Sequence, residues 1–265
     1  MTNIVFERPV LTVRIHAGLN AASFLAGLLS VASPAELLDA DELLHARFPN
    51  TKAHLVHAPH SVNGIAGSIC RFEGLNEAGH DHGQGHHHHH VHRTCAEIEA
   101  IYDNEGKLSP AARELASSIW SVLARAEARV HGAAPEGVHF HEVGRMENIL
   151  AIGLIAEVFA AINPIDFVAS PVPLADGEVH CAHGVVPNPA PALLAMLDGV
   201  AVGPFAGEGE AVTPTGLAVV LGLGARFGRW PSMRVARHAT AFHAAKVFAE
   251  SPNGLIFALG EALEG

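Results

Sequence analysis

Eight histidines fall between positions 80 and 92 (His80, His82, His86, His87, His88, His89, His90 and His92) in the run NEAGHDHGQGHHHHHVHR. Neutral imidazole is a borderline ligand that suits nickel, zinc and copper. Glycines among the rings allow several of them to converge on one ion without a preformed pocket. Such a tract is suited to collecting and passing on metal more than to holding it rigidly. The bland alternative is a spacer, and the internal position argues against an expression tag. The histidines do not select the metal, because affinity order favours copper over nickel at nearly any nitrogen site.

Two further groups could carry chemistry. His139-Phe140-His141-Glu142 places two imidazoles two residues apart, and on extended backbone both would point to one side. With Glu142 adjacent they could bind a metal, and Glu142 could move a proton. Cys181 and His183 are again two apart, and a thiolate beside an imidazole offers a softer pair for nickel. Each signal has an ordinary counterpart: a lone His-x-His is more often structural, and a single cysteine is more often a small buried hydrophobe. Thr213-Pro214-Thr215-Gly216 is first a helix N-cap, whose unpaired backbone N–H groups could also meet an anionic ligand.

The elements around these groups alternate. Val10 to His16 is a β-like run, followed by a small-residue helix from about Asn20 to Leu29. Ser33-Pro34 opens a second helix, with a cap and a first-turn proline. Ala53–His60 and Ile65–Phe72 read as strands around an Asn63-Gly64 turn. Beyond the histidine tract, Ser109-Pro110 caps an amphipathic helix with Leu115, Ile119, Val122, Ala126 and Val130 on its apolar face. A helix from about Glu147 to Ile162 stops at Asn163-Pro164. Short strands are expected at Phe167–Ala169, Glu178–Cys181, Val200–Val202, Met233–Arg237 and Leu255–Leu259, and a helix follows Thr213-Pro214. Pro187-Asn188-Pro189-Ala190-Pro191 reads as a rigid connector into a helix. Together these predict a mixed α/β fold. Its parts are an N-terminal α/β part over 1–73, a histidine-rich mobile loop over 74–93, and a main α/β part over 94–265 packed with the first as one domain.

Composition excludes several function classes. The chain has 265 residues, 49% of them hydrophobic, and a mean hydropathy of +0.25, enough for a sizeable core. A formal charge of -11 argues against a general nucleic-acid binder, which needs a basic surface. Cys70, Cys95 and Cys181 form no CxxC pair, so neither a disulfide framework nor a thiolate zinc site is indicated. The start lacks the basic and apolar regions of a secretory signal. The apolar stretch 149–165 is interrupted by Glu157 and Asn163-Pro164, which argues against a membrane span. The expected location is the cytoplasm.

Taken in order, the polyhistidine run, VHGAAPEGVHFHEVG, SPVPLADGEVHCAHGVVPNPAPALLAML and GEAVTPTGLAVV are similar to the LarC family of nickel-insertion proteins. The likeness is strongest over roughly 64–222. It implies a CTP-dependent cyclometallase, a lyase that inserts Ni²⁺ into a pyridinium bisthiocarboxylate mononucleotide to mature the nickel pincer cofactor of lactate racemase. His139, His141 and Glu142 are then candidates for metal and proton work, and Thr213, Thr215 and Gly216 for the anion. The tract histidines, with Cys181 and His183, are candidates for metal.

The sequence departs from that family at identifiable places. Members open with DCFSGISGDMFLGAL, and the corresponding Arg14–Leu25 stretch has lost both aspartates. After HEVG the family places two aspartates four apart, where this chain has Glu147 and Ala151. The glycine-rich segment expected near the C-terminus is replaced by RHATAFHAAK. The resemblance assigns CTP and Mg²⁺ to a further C-terminal domain, so a separately encoded partner domain is expected. A homo-oligomer is also an open expectation. Three readings follow: an insertion protein working with such a domain, a nickel-binding accessory or storage protein without catalysis, and a scaffold partner of a complete family member.

Overall fold

A computed structural model of the chain describes residues 6–32, 39–75, 93–181, 184–249 and 251–263. The strands in chain order are β1 (Pro9–Ala17), β2 (His54–Val62), β3 (Ile65–Glu73), β4 (Asp166–Ala169), β5 (Val172–Leu174) and β6 (Glu178–Cys181). They continue with β7 (Gly184–Pro187), β8 (Val202–Pro204), β9 (Arg226–Phe227), β10 (Met233–Ala241) and β11 (Gly254–Ala262). The helices are α1 (Ala21–Val31), α2 (Ala40–Arg47), α3 (Cys95–Asn104), α4 (Pro110–His131), α5 (Met146–Ile162), α6 (Pro191–Ala195) and α7 (Pro214–Gly222). The fold is mixed α/β, as expected.

Seven strands form one sheet in the order β2-β3-β10-β11-β1-β4-β9. Pairs β2/β3, β10/β11 and β1/β11 are antiparallel, whereas β3/β10, β1/β4 and β4/β9 are parallel. Segments before and after the histidine tract therefore share one sheet. Two small pairs, β5/β8 and β6/β7, stand apart from it.

Helix α1 lies on this sheet against β3, β10 and β11, with α5 beside it. Gly27 makes that approach feasible, because a Cβ there would come within 2.1 Å of the Phe257 ring. Phe24 and Phe257 then meet edge to face, 5.1 Å between centroids. Helix α5 packs between α1 and α4. It is accordingly buried continuously from Ile149 to Phe159, as a helix apolar on all sides must be. Asn163 ends it in the left-handed region at φ 46, just before Pro164.

The apolar face of α4 matches the expected one in part, since Ile119 and Ala126 are buried. Ala112, Ala116, Ile119, Trp120, Leu123 and Glu127 are buried, while Leu115 and Val122 only pack at its margin. The reason is close packing against α5 and α7, which favours small residues. A Cβ on Gly222 would lie 2.5 Å from the Ile119 Cα. Four other expectations shift or fall outside the described residues. The strand expected at Val200–Val202 begins at Val202, because the Val200 N–H closes the preceding turn onto the Leu197 carbonyl at 2.9 Å. Strand β10 runs past Arg237 to Ala241, since β11 pairs along its length across a bulge at Val235/Arg237. The helix start at Ser33-Pro34 lies outside the described residues, as does the histidine tract.

Loop 242–248 holds a pH-sensitive element. His243 Nδ1 accepts the N–H groups of Ala245 and Lys246 at 3.0 and 3.1 Å. Burial, with Lys246 adding to it, pushes this imidazole down to about 4. Its folded pKa thus lies below the ordinary value, so the unfolded chain binds the extra proton between about pH 6.5 and 4. The stability it contributes is complete above pH 6.5 and lost as pH falls through that window. After allowance for partial exposure, the loss amounts to about 2 kcal/mol. Thermal melts between pH 7 and pH 4 are expected to show a steeper decline for the parent than for His243→Asn, whose amide oxygen can still accept. Parallel curves would remove His243 from the account.

Candidate functional site

The first turn of α1, the last turn of α4, the 141–148 segment, β6, the start of α6 and the approach to α7 enclose a cleft of about 530 Å³. Its chemistry comes from His131, His141 and His180, the carboxylates Glu127, Glu142, Glu147 and Glu210, and the hydroxyls of Thr213 and Thr215.

The wall made by α1 and α7 is built from backbone. The N–H groups of Gly18 and Leu19 both donate to the Ala211 carbonyl, at 2.7 and 3.0 Å. The Thr213 N–H returns a bond to the Leu19 carbonyl at 2.9 Å. Thr213 Oγ1 donates to that same carbonyl and accepts the Gly216 N–H at 3.1 Å, capping α7. Asn20 caps α1 by accepting the Ser23 N–H at 2.7 Å. Two helix starts are thereby stitched side by side, and α5 begins at the same cleft through Glu147 and Asn148. Their dipoles give this wall a positive partial charge that favours an anion.

The cleft also carries titratable groups. Glu127, 8% exposed, faces His131 with its Oε2 3.4 Å from Nε2. The rings of His131 and His141 lie 6.0 Å apart. Glu210 is held above the usual carboxylate range by burial, with the charge of Glu142 adding to the effect and Lys246 opposing it. A carboxyl so placed is a better proton acceptor than an exposed glutamate.

His141 is positioned by its neighbour. Phe140 is fully buried against Trp120, 5.3 Å between ring centroids. It pairs with Arg93 through two backbone bonds, and Arg93 Nη1 donates to the Gly144 carbonyl at 2.6 Å. Asn148 Nδ2 binds the Val143 carbonyl at 3.1 Å, closing the loop onto α5.

Of the residues singled out in the sequence, His141, Glu142, Thr213 and Thr215 line this cleft. His139 is exposed outside its lining, where its charge is felt by Glu97 on α3. Gly216 sits in the first turn of α7, its N–H engaged by Thr213. Cys181 ends β6 beside the cleft residue His180. His183 and the eight tract histidines lie outside the described residues. Sequence reasoning did not single out His131, Glu127, His180 or Glu210. The one local signal for the first two was their i, i+4 spacing at the end of α4. Ala22, in the stretch where the resembling family carries aspartates, also lines the cleft.

Fold and cleft together define a class: a mixed α/β protein in which imidazoles, carboxylates and helix N-termini line one cleft. A family model described as nickel insertion protein matches residues 11–264, and the chain belongs to that family. It is 36% identical over 261 residues to a protein named "Putative nickel insertion protein" from Geotalea daltonii, covering 96% of this chain and 62% of that one. A protein of the same name from Geobacter sp. strain M21 is 36% identical over 250 residues, covering 94% and 60%. The pyridinium-3,5-bisthiocarboxylic acid mononucleotide nickel insertion protein of Desulfitobacterium hafniense is 40% identical over 147 residues, covering 56% and 36%. The chain thus spans at most about three fifths of the length of these relatives. No solved structure matches. Among the described residues, no helix is long and apolar enough to cross a membrane.

Proposed function

We propose that the cleft takes Ni²⁺ as cargo and presents it to a pyridinium bisthiocarboxylate mononucleotide, within maturation of the nickel pincer cofactor of lactate racemase. The observation that carries this reading is the meeting of three imidazoles, a carboxyl with raised pKa and the starts of α1, α5 and α7 in one cleft. Its volume of about 530 Å³ lies in the range of small-ligand sites. Imidazoles of His131, His141 and His180 suit a borderline cation. The helix starts, with Thr213 and Thr215, suit the nucleotide phosphate.

Insertion exchanges a ring C–H bond for a nickel–carbon bond, while the two thiocarboxylate sulfurs bind the metal. The displaced proton needs an acceptor, and Glu210 or the neighbouring Glu142 fills that role. Mg²⁺ and CTP are bound, on this reading, by the partner domain that the family resemblance implies. The setting is the cytoplasm. A second reading, nickel binding and delivery without catalysis, is favoured by Ala22 and the buried Ala151, which replace carboxylates of the resembling family. His139, Cys181 and His183 remain candidate ligands on sequence grounds, and the tract histidines remain candidate collectors of metal.

The test is calorimetric titration of Ni²⁺ into a variant whose eight tract histidines are serine. His141→Ala or His131→Ala on that background is expected to abolish one binding site. Unchanged stoichiometry and affinity in both would sink the cleft as a nickel site. Gain of product on adding the partner domain and CTP would separate insertion from delivery alone.

A further inference from the structure

A second cluster of metal-ligating groups lies away from the cleft, on α2 and the start of β2. Asp41 stands in the first turn of α2, His45 four residues on along the same face, and His54 opens β2. Asp41 Oδ2 is 3.0 Å from His54 Nδ1, and Asp41 Oδ1 is 3.7 Å from His45 Nε2. One ligand atom from each residue lies within 4.8 Å of the other two. Metal–nitrogen and metal–oxygen bonds of about 2.1 Å require neighbouring ligand atoms roughly 3.0–3.4 Å apart, for octahedral and tetrahedral geometry respectively. The observed separations bracket that requirement, so small side-chain rotations suffice.

The carboxylate at the centre is fixed in place. Asp41 Oδ1 accepts the Leu55 N–H at 2.8 Å, and the Asp41 N–H donates to Asp39 Oδ1 at 2.9 Å. The rings of His45 and His54 lie 5.4 Å apart, edge to face. Helix α2 packs on β2, so the sequence-distant third ligand is held by tertiary structure. All three side chains reach solvent, with 37%, 35% and 60% exposure for His45, Asp41 and His54. Water can therefore complete the coordination shell and exchange from it.

We propose that Asp41, His45 and His54 form a surface site for a divalent cation of borderline softness, Ni²⁺ or Zn²⁺, separate from the cleft. Binding through His54 Nδ1 uses the tautomer whose proton is on Nε2. His54 is the register partner of Glu73, seven residues before the first tract histidine. At the other end, Arg93 follows the last one and pairs with Phe140, the neighbour of His141. The proposal does not rest on the cleft being a nickel site.

The experiment starts from the full chain with the eight tract histidines replaced by serine, titrated with Ni²⁺ and, as a spectroscopic probe, Co²⁺. His45→Ala and His54→Ala are each expected to remove one site or weaken it more than tenfold, and to remove the corresponding Co²⁺ visible band. Asp41→Asn, which can still accept the Leu55 N–H, is expected to weaken the same site tenfold without unfolding the chain. Circular dichroism checks the fold of each variant. The site sensitive to these changes should survive His141→Ala, which keeps its failure distinct from failure of the cleft. A His45→Ala/His54→Ala double variant that is folded and binds as its parent does would overturn the proposal.

Discussion

Trp120→Ala is expected to destabilise the chain by about 3–5 kcal/mol and to lower its midpoint of thermal unfolding by roughly 10 °C. Trp120 is 1% exposed in the middle of α4 and touches Phe140, which sets the position of His141. Its Nε1 donates to the Tyr102 hydroxyl at 3.0 Å, and that hydroxyl donates to the Ile149 carbonyl at 2.8 Å. One substitution thus opens a cavity where α3, α4 and α5 meet and loosens the segment entering the cleft. Trp120→Phe retains most of the volume and loses only the N–H bond, so it should cost about 1–2 kcal/mol. Denaturant unfolding followed by circular dichroism measures both. A Trp120→Ala melt within about 2 °C of the parent would mean that the three helices do not share a core at this point.

Gly216→Ala pits two effects of opposite sign against each other. Helix propensity alone favours alanine over glycine by roughly 1 kcal/mol. Here, however, a Cβ would come within 2.5 Å of the Leu19 carbonyl oxygen, a backbone atom. That carbonyl cannot easily move, because it accepts from both the N–H and the hydroxyl of Thr213. Overpacking against an immobile backbone atom falls toward the upper end of its range of about 1–3 kcal/mol and should win, with a net cost of about 2 kcal/mol. Separation of the α1 and α7 starts should also weaken binding of phosphate-bearing ligands in the cleft. Gly137→Ala serves as the control, since nothing lies within 4 Å of its added Cβ. Equal melts for the two variants would show that α1 and α7 are not held so closely.

Both predictions depend on contacts that link distant parts of the chain, and this divides what the sequence could show from what it could not. Local signals proved readable where the physics is local. Ser109-Pro110 and Thr213-Pro214 cap helices because hydroxyl and proline act within one turn. Asn63-Gly64 turns β2 into β3, with both residues at positive φ. The ordered motifs HFHEVG and TPTG, with the segments between them, were enough to indicate the family.

Other features were illegible for a stated reason. On α4 the expected Ile119 and Ala126 are buried, but Ala112 and Ala116 were missed because small residues at close helix contacts carry little hydrophobic signal. Glu210 lies within the quoted GEAVTPTG segment without being singled out, because its character comes from burial beside Glu142, 68 residues away in sequence. The union of His54 with Asp41 and His45 depends on α2 packing on β2.

By itself the sequence determined the mixed α/β alternation, most helix starts and the family, and it pointed to four residues that line the cleft: His141, Glu142, Thr213 and Thr215. Only the tertiary structure decided that His131, His180, Glu127 and Glu210 join them while His139 stands outside. Turns, caps and periodicity are set within a few residues, whereas a cleft forms where backbone bonds such as Gly18 to Ala211 and Thr213 to Leu19 bring remote segments together.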